Sequence, residues 1–162
     1  MNAREQLLKR FMLEALRTLR LVRIFTDRDL SIRPAEGSMS TAELIEHIAA
    51  SQNFTRGLFA EPTPTTELFR RPYDVSNAAI AAQVLAQSIQ EVRKAIEQCP
   101  EEWLEQRIAP FGPDWELSRV ELAHLMVDHE IHHRGQLYVY ARIAGHEPPV
   151  LYAPVSEEVL EL

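Results

Sequence analysis

Residues 118–145 read SRVELAHLMVDHEIHHRGQLYVYARIAG, and the reading of this stretch decides the architecture. Ser118 and Glu121 form the S-x-x-E pattern of a helix N-terminal capping box. Gly145 stands where a left-handed glycine ends a helix, and Pro148 and Pro149 follow it. Between these signals Leu122, Met126, His129, His133, Gln136 and Tyr140 return at three- and four-residue steps. A helix running to about Ala144 is predicted, with these residues on its inward face. At about 100° per residue, His129 and His133 lie about 40° apart, one turn above the other, so both imidazoles can reach one ion.

Working outward, three more segments carry helical periodicity. The first runs from about Asn2 to Phe25, with Asn2 and Glu5 as a capping box and a stripe of Leu8, Met12, Ala15, Leu19 and Val22. The second opens on Ser40 and Glu43, carries Leu44, Ile48, Ser51, Thr55 and Leu58 on one line, and stops before Pro62 and Pro64. The third starts near Ser76, places Ala81, Leu85, Ser88, Val92, Ala95 and Cys99 on one face, and ends at Pro100. The proline-bearing stretch from Ala60 to Asp74 reads as a crossover loop. Residues 101–117, with Trp103, Phe111 and Trp115, read as an ordered loop whose aromatics are packed away from water. No hairpin signal and no internal repeat stand out. The expected fold is all-α: one domain over residues 1–162, a four-helix bundle with two long connections and a C-terminal tail.

The chain has 162 residues, 46% of them hydrophobic and 25% charged, as in globular proteins that bury one core. A net charge of −7 argues against nucleic acid and against an anionic membrane surface as partners. No apolar run approaches the ~18 residues of a membrane span. The N-terminus, MNAREQLLKR, lacks the apolar block of a secretory signal, so a cytoplasmic location is expected. The one cysteine, Cys99, leaves no intrachain disulfide and reads as a buried helix-end residue.

Chemistry-bearing residues concentrate on two helices. His47 lies between Leu44 and Ile48 on the core side of the second helix. A lone histidine on an apolar face is usually a core residue bonded to a carbonyl, and nothing local singles this one out. His47, His129 and His133 together supply imidazoles from two helices, which suits a divalent metal with an open coordination position. The nitrogens alone do not choose the metal. His124, Asp128 and His132 repeat the same spacing, rotated away from the apolar stripe. They are expected to face solvent or a partner subunit, with Asp128 bonding His132 and His132 within reach of the ligands. His146, in the loop after Gly145, is expected to have no metal role.

Two rival motifs overlap this stretch. Residues 129–133 satisfy H-E-x-x-H, the zincin pattern with Glu130 as general base. The longer form of that motif is not completed, because Gly135 and His146 fall at the wrong distances. Glu130 and His133 also match the Glu-x-x-His element of ferritin-like carboxylate sites, but no second copy exists.

The run Asp128-His-Glu-Ile-His-His-Arg-Gly-Gln-Leu137, with Tyr140-Ala-Arg-Ile-Ala-Gly145 and Pro148-Pro149, resembles the fourth-helix signature of the DinB/YfiT-like metalloenzyme superfamily. Ser40-Thr-Ala-Glu-Leu-Ile-Glu-His47-Ile-Ala resembles that superfamily's second helix. The resemblance implies an up-down-down-up four-helix bundle, usually a homodimer, with a metal held by one histidine of the second helix and two of the fourth. Those positions fall on His47, His129 and His133. It also implies a thiol-dependent transferase acting on small electrophiles, with a low-molecular-weight thiol as co-substrate.

The metal expected is zinc or nickel, with iron or manganese as alternatives. In this reading Gln136, Tyr140 and Asn53 can orient a small-molecule substrate, and Arg134 can bind a carboxylate of the thiol. Gly135, in mid-helix, suggests a close helix approach or access to the metal. Two alternatives stand beside it. One is a metal-dependent hydrolase in which water attacks, with Glu130 or His132 as base. The other is a non-catalytic, metal-binding stress-response dimer.

Overall fold

A computed structural model describes residues 1–161. Four helices carry the fold: α1 (Ala3–Val22), α2 (Thr41–Ala60), α3 (Ala78–Gln98) and α4 (Arg119–Ile143). The capping boxes expected at Asn2/Glu5, Ser40/Glu43 and Ser118/Glu121 are all formed, each side chain bonding the other residue's backbone N–H. α3 begins on Asn77, one residue later than the sequence suggested, because the Asn77 side chain accepts from the Ile80 N–H. α1 stops at Val22 rather than Phe25, since Ile24 and Phe25 tighten into three-residue bonds to Leu21 and Val22. α4 ends in a Schellman motif: Gly145 takes a φ of 84°, its N–H bonds Arg142 and that of His146 bonds Ala141.

Helix directions follow from side-chain contacts. Arg10 meets Asp128 and Glu14 meets Arg134, so α1 and α4 run parallel. Tyr140 near the end of α4 reaches Met39 before α2, and Arg119 at the start of α4 reaches Leu58 near the end of α2, so those two oppose. Arg4 near the start of α1 bonds carbonyls at the end of α3, which therefore also runs down. The order is up-down-down-up.

Because α2 and α3 point the same way, the chain must travel back along the bundle between them. Residues 61–77 form that strap, with a 3₁₀ turn at Thr66–Arg70. Asn53 donates to the Leu68 carbonyl at 2.8 Å, and the Tyr73 N–H donates to Glu46 at 3.2 Å, so the strap lies along α2. Gly57 lets it approach: a Cβ there would stand 2.3 Å from a Leu68 methyl carbon. The strap therefore passes the turn of α2 that bears His47.

The 101–117 connection differs from expectation in two ways. Arg107–Ile108 (β1) and Leu117–Ser118 (β2) pair antiparallel, Arg107 opposite Ser118. Trp103 is half-buried under the Arg119 guanidinium, 4.5 Å from its ring centre. Phe111 and Trp115, expected to be packed away, are 39% and 56% exposed. Arg119 itself is fully buried, bonding the Leu58, Glu61 and Pro62 carbonyls at the end of α2, where a cation opposes the negative end of the helix dipole.

Candidate metal centre

His47 on α2 and His129 and His133 on α4 come together although 82 residues separate the first two. Each offers a ring nitrogen within 4.8 Å of the others, and among the described residues this is the group of such side chains able to hold a metal ion. The His129 Nε2 lies 3.3 Å from His47 Nε2 and 3.1 Å from His133 Nε2. Three imidazoles on one ion, at ~2.0–2.1 Å each and angles between octahedral and tetrahedral, would place neighbouring nitrogens about 2.9–3.4 Å apart. Both observed separations fall in that interval.

Hydrogen bonding among the rings cannot account for the arrangement. His133 Nδ1 faces the Gln136 Oε1 at 2.7 Å, and a carboxamide oxygen accepts, so the His133 proton is inferred to sit on Nδ1 and Nε2 presents its lone pair. A proton on His129 Nε2 would serve one neighbour and leave the other facing a bare nitrogen. A cation at the centre would satisfy all three. The donor set fits a divalent transition-metal ion.

Electrostatics favour the neutral form of all three imidazoles. Burial lowers His47 below its ordinary value, with His133 adding to the effect. Burial, then the charges of His133, His47 and His132, bring His129 down to about 4. Burial also lowers His133, against the opposing bond to Gln136. Neutral imidazoles at pH 7 leave no proton to compete with a cation.

The remaining candidates fall elsewhere. Gln136 acts on His133 as described, fixing its tautomer from outside the ligand set. His132 is exposed beside the cluster, its ring centre 5.0 Å from that of His133. Tyr140 is buried, and its hydroxyl donates to the Met39 carbonyl, tying α4 to the loop before α2. Asn53 is consumed by the strap, donating to Leu68 and accepting from Arg56 and Arg71. The Arg134 guanidinium is buried against Glu14, bonding its carboxylate at 2.6 Å and its carbonyl at 2.9 Å, and so is not free for a thiol's carboxylate. Glu130 is buried and accepts from Gln52 at 3.0 Å. Burial raises its pKa, with Gln52 and Thr18 pulling the other way. A carboxyl enclosed in this way is a poor base for water at the cluster.

Asp128 does not bond His132; it pairs with Arg10, which also reaches His124 at 3.1 Å. His146 pairs with Asp29 at 2.7 Å, far from the cluster in sequence and contact. Gly135 has nothing within 4 Å of where its Cβ would lie, so close helix approach is not its reason. The aromatic wall beside His129, made by Phe69, Phe111 and Trp115, was not foreseen. Its signal was the same Phe111 and Trp115, read as packed.

Fold and site thus define a four-helix bundle with a three-histidine cluster compatible with metal binding. Residues 1–160 match the DinB family, and the chain belongs to it. It is 35% identical to the uncharacterized protein YjoA of Bacillus subtilis over 120 residues, 72% of this chain and 74% of that one. To the uncharacterized protein YrdA of the same organism it is 27% identical over 159 residues, 95% and 90% of the two chains. The crystal structure of YjoA, a DinB-like protein, superposes with a TM-score of 0.74, covering 90% of this chain and 96% of that one at 28% identity. A DinB-like protein from Bacillus cereus shares the fold at a TM-score of 0.76 and 21% identity, over 91% and 97%. Among the described residues no helix is long and apolar enough to cross a membrane.

Proposed function

We propose that the protein is a metal-dependent transferase that joins a low-molecular-weight thiol to a small electrophile. The convergence of three neutral ring nitrogens beside an open cleft carries this reading. His47, His129 and His133 would hold zinc or nickel, with iron or manganese as alternatives, and Gln136 keeps the His133 Nε2 lone pair pointed inward. The ion, when bound, would lower the pKa of a thiol so that a nucleophilic sulfur exists near neutral pH. A carbon–sulfur bond then forms, the bond to the leaving group breaks, and the thiol proton ends on that group. His132, exposed and lining the same cleft, would carry the proton. A cytoplasmic setting, where thiols stay reduced, suits this chemistry. Assembly as a homodimer belongs to the same reading and would be read out by sedimentation.

The test is elemental analysis of untagged protein, followed by a screen of cellular thiols against model electrophiles. One equivalent of metal per chain and consumption of thiol together with electrophile are expected. Electrophile turnover in water without thiol would replace the reading by a hydrolase with His132 as base. Full metal occupancy with no turnover of either kind would leave a non-catalytic metal protein.

A further inference from the structure

Two clefts border the histidine cluster, and their walls differ. The cleft on the His47 side, about 420 Å³, is edged by Glu43, Glu46, Arg70 and Arg71. The cleft on the His129 side, about 580 Å³, is walled by Phe69, Phe111, Trp115, Leu125 and Met126. Phe69, on the strap, borders both. Each volume lies within the ~300–1,000 Å³ of small-molecule cavities.

The apolar cleft has a built wall. Phe54, fully buried on α2, stacks on Phe69 with ring centres 4.4 Å apart and meets Phe111 at 5.3 Å. The outer rings therefore rest on a fixed inner one. Asn53 and Gly57 seat the strap that carries Phe69. Arg107 pins the base of the loop carrying Phe111 and Trp115, pairing with Glu116 at 3.3 Å and Glu121 at 3.7 Å. Asp128, which also lines the cleft, is held by Arg10. Yet Trp115, Phe111 and Leu125 remain substantially exposed around the mouth. Large apolar side chains left in water around a concavity mark a place where apolar surface is to be covered. His129 and His132 also line this cleft, so an occupant that fills it touches the cluster.

We propose that this cleft selects the electrophile, taking a neutral, apolar body, an aromatic ring or short alkyl chain, with Trp115 and Phe111 as the specificity-determining residues. The charged cleft across Phe69 leaves the polar co-substrate a separate approach. The assignment of the occupant as electrophile rests on the transferase reading; the apolar binding does not.

The two are tested separately. Full-length protein is titrated with N-phenyl-1-naphthylamine, a neutral apolar fluorophore, with and without chelator. Saturable binding of one equivalent per chain is expected in both conditions. Trp115→Ala and, independently, Leu125→Glu should each weaken it about tenfold, the scale of losing one aromatic contact or charging an apolar wall. In transfer assays Trp115→Ala should raise KM for aromatic electrophiles more than for the smallest ones. Unchanged probe affinity in both variants overturns the proposal. So does one probe per two chains with Trp115→Ala converting dimer to monomer, which would make the mouth a contact between copies. Probe binding without any thiol transfer would sink the transferase reading and leave the apolar cleft standing. Transfer with unchanged selectivity in Trp115→Ala would do the reverse.

Discussion

Two polar clusters share α4, and both use residues four apart. His129 and His133 face α2, where they meet His47. Glu130 and Arg134, one residue further on in each case, turn into the core, where Glu130 meets Gln52 of α2 and Arg134 meets Glu14 of α1. The second cluster is mostly answered across the interface: Arg134 by the Glu14 carboxylate and carbonyl, and Glu130 at one oxygen by Gln52, while Glu130 Oε1 and Gln52 Oε1 lack a partner. The first is open, because its ring nitrogens face one another and His129 Nδ1, too, is buried without a partner. Spacing along a helix brings groups together. Whether they make a site depends on whether anything across the interface already satisfies them.

The largest way to break this comparison is to remove the open cluster. The double variant His129→Ala/His133→Ala should purify with no stoichiometric metal by elemental analysis, and a full retained equivalent would refute the site. Next, Arg134→Ala removes the buried one of the two arginines that pair with Glu14, Arg17 remaining at 2.9 Å, and should cost about 1.5–3 kcal/mol by chemical denaturation, the scale for losing hydrogen bonds to a charged group. Metal per folded chain should not change, and if it falls the two clusters are one. Gln136→Ala should weaken metal affinity about 10–100-fold in competition with a chelator, as expected for loss of a group that orients a ligand. An unaltered affinity would mean His133 is held by packing alone.

The smallest effect concerns pH, and the clusters carry opposite signs. Glu130 has a folded pKa raised above its reference of 4.5, so the stability it contributes is present below that value and lost as pH rises through the raised one. His129 has a folded pKa of about 4 against a reference of 6.5, so its contribution is present above 6.5 and lost as pH falls toward 4. Melting temperatures of the metal-free protein should therefore carry two opposed trends, a loss from His129 as pH falls below 6.5 and a loss from Glu130 as pH rises above 4.5, and Glu130→Gln should remove the second alone. A variant that keeps the second loss would show that Glu130 is not its source.

Much of the bundle was legible because its signals are local. A capping box reaches three residues, a Schellman motif five, and a buried stripe repeats each turn. Those signals located α2 and α4 closely, and the facing of His129 and His133 followed from their spacing. Asn53, Tyr140 and Arg134 were less legible. Each sits on an inward or near-inward position, as a substrate-orienting residue would. What separates a structural clamp from a functional group is a partner 15, 101 or 120 residues away.

The sequence by itself determined four helices, the ends of α2 and α4, and a pair of histidines on one face, since these rest on contacts within a few residues. Tertiary structure alone decided that His47 completes the cluster on geometry rather than resemblance, that Glu130 and Arg134 are occupied elsewhere, and that Phe111 and Trp115 stand open beside His129. Those outcomes depend on how α2, the strap and the 101–117 loop fall against α4, and no local periodicity encodes a meeting across so many residues.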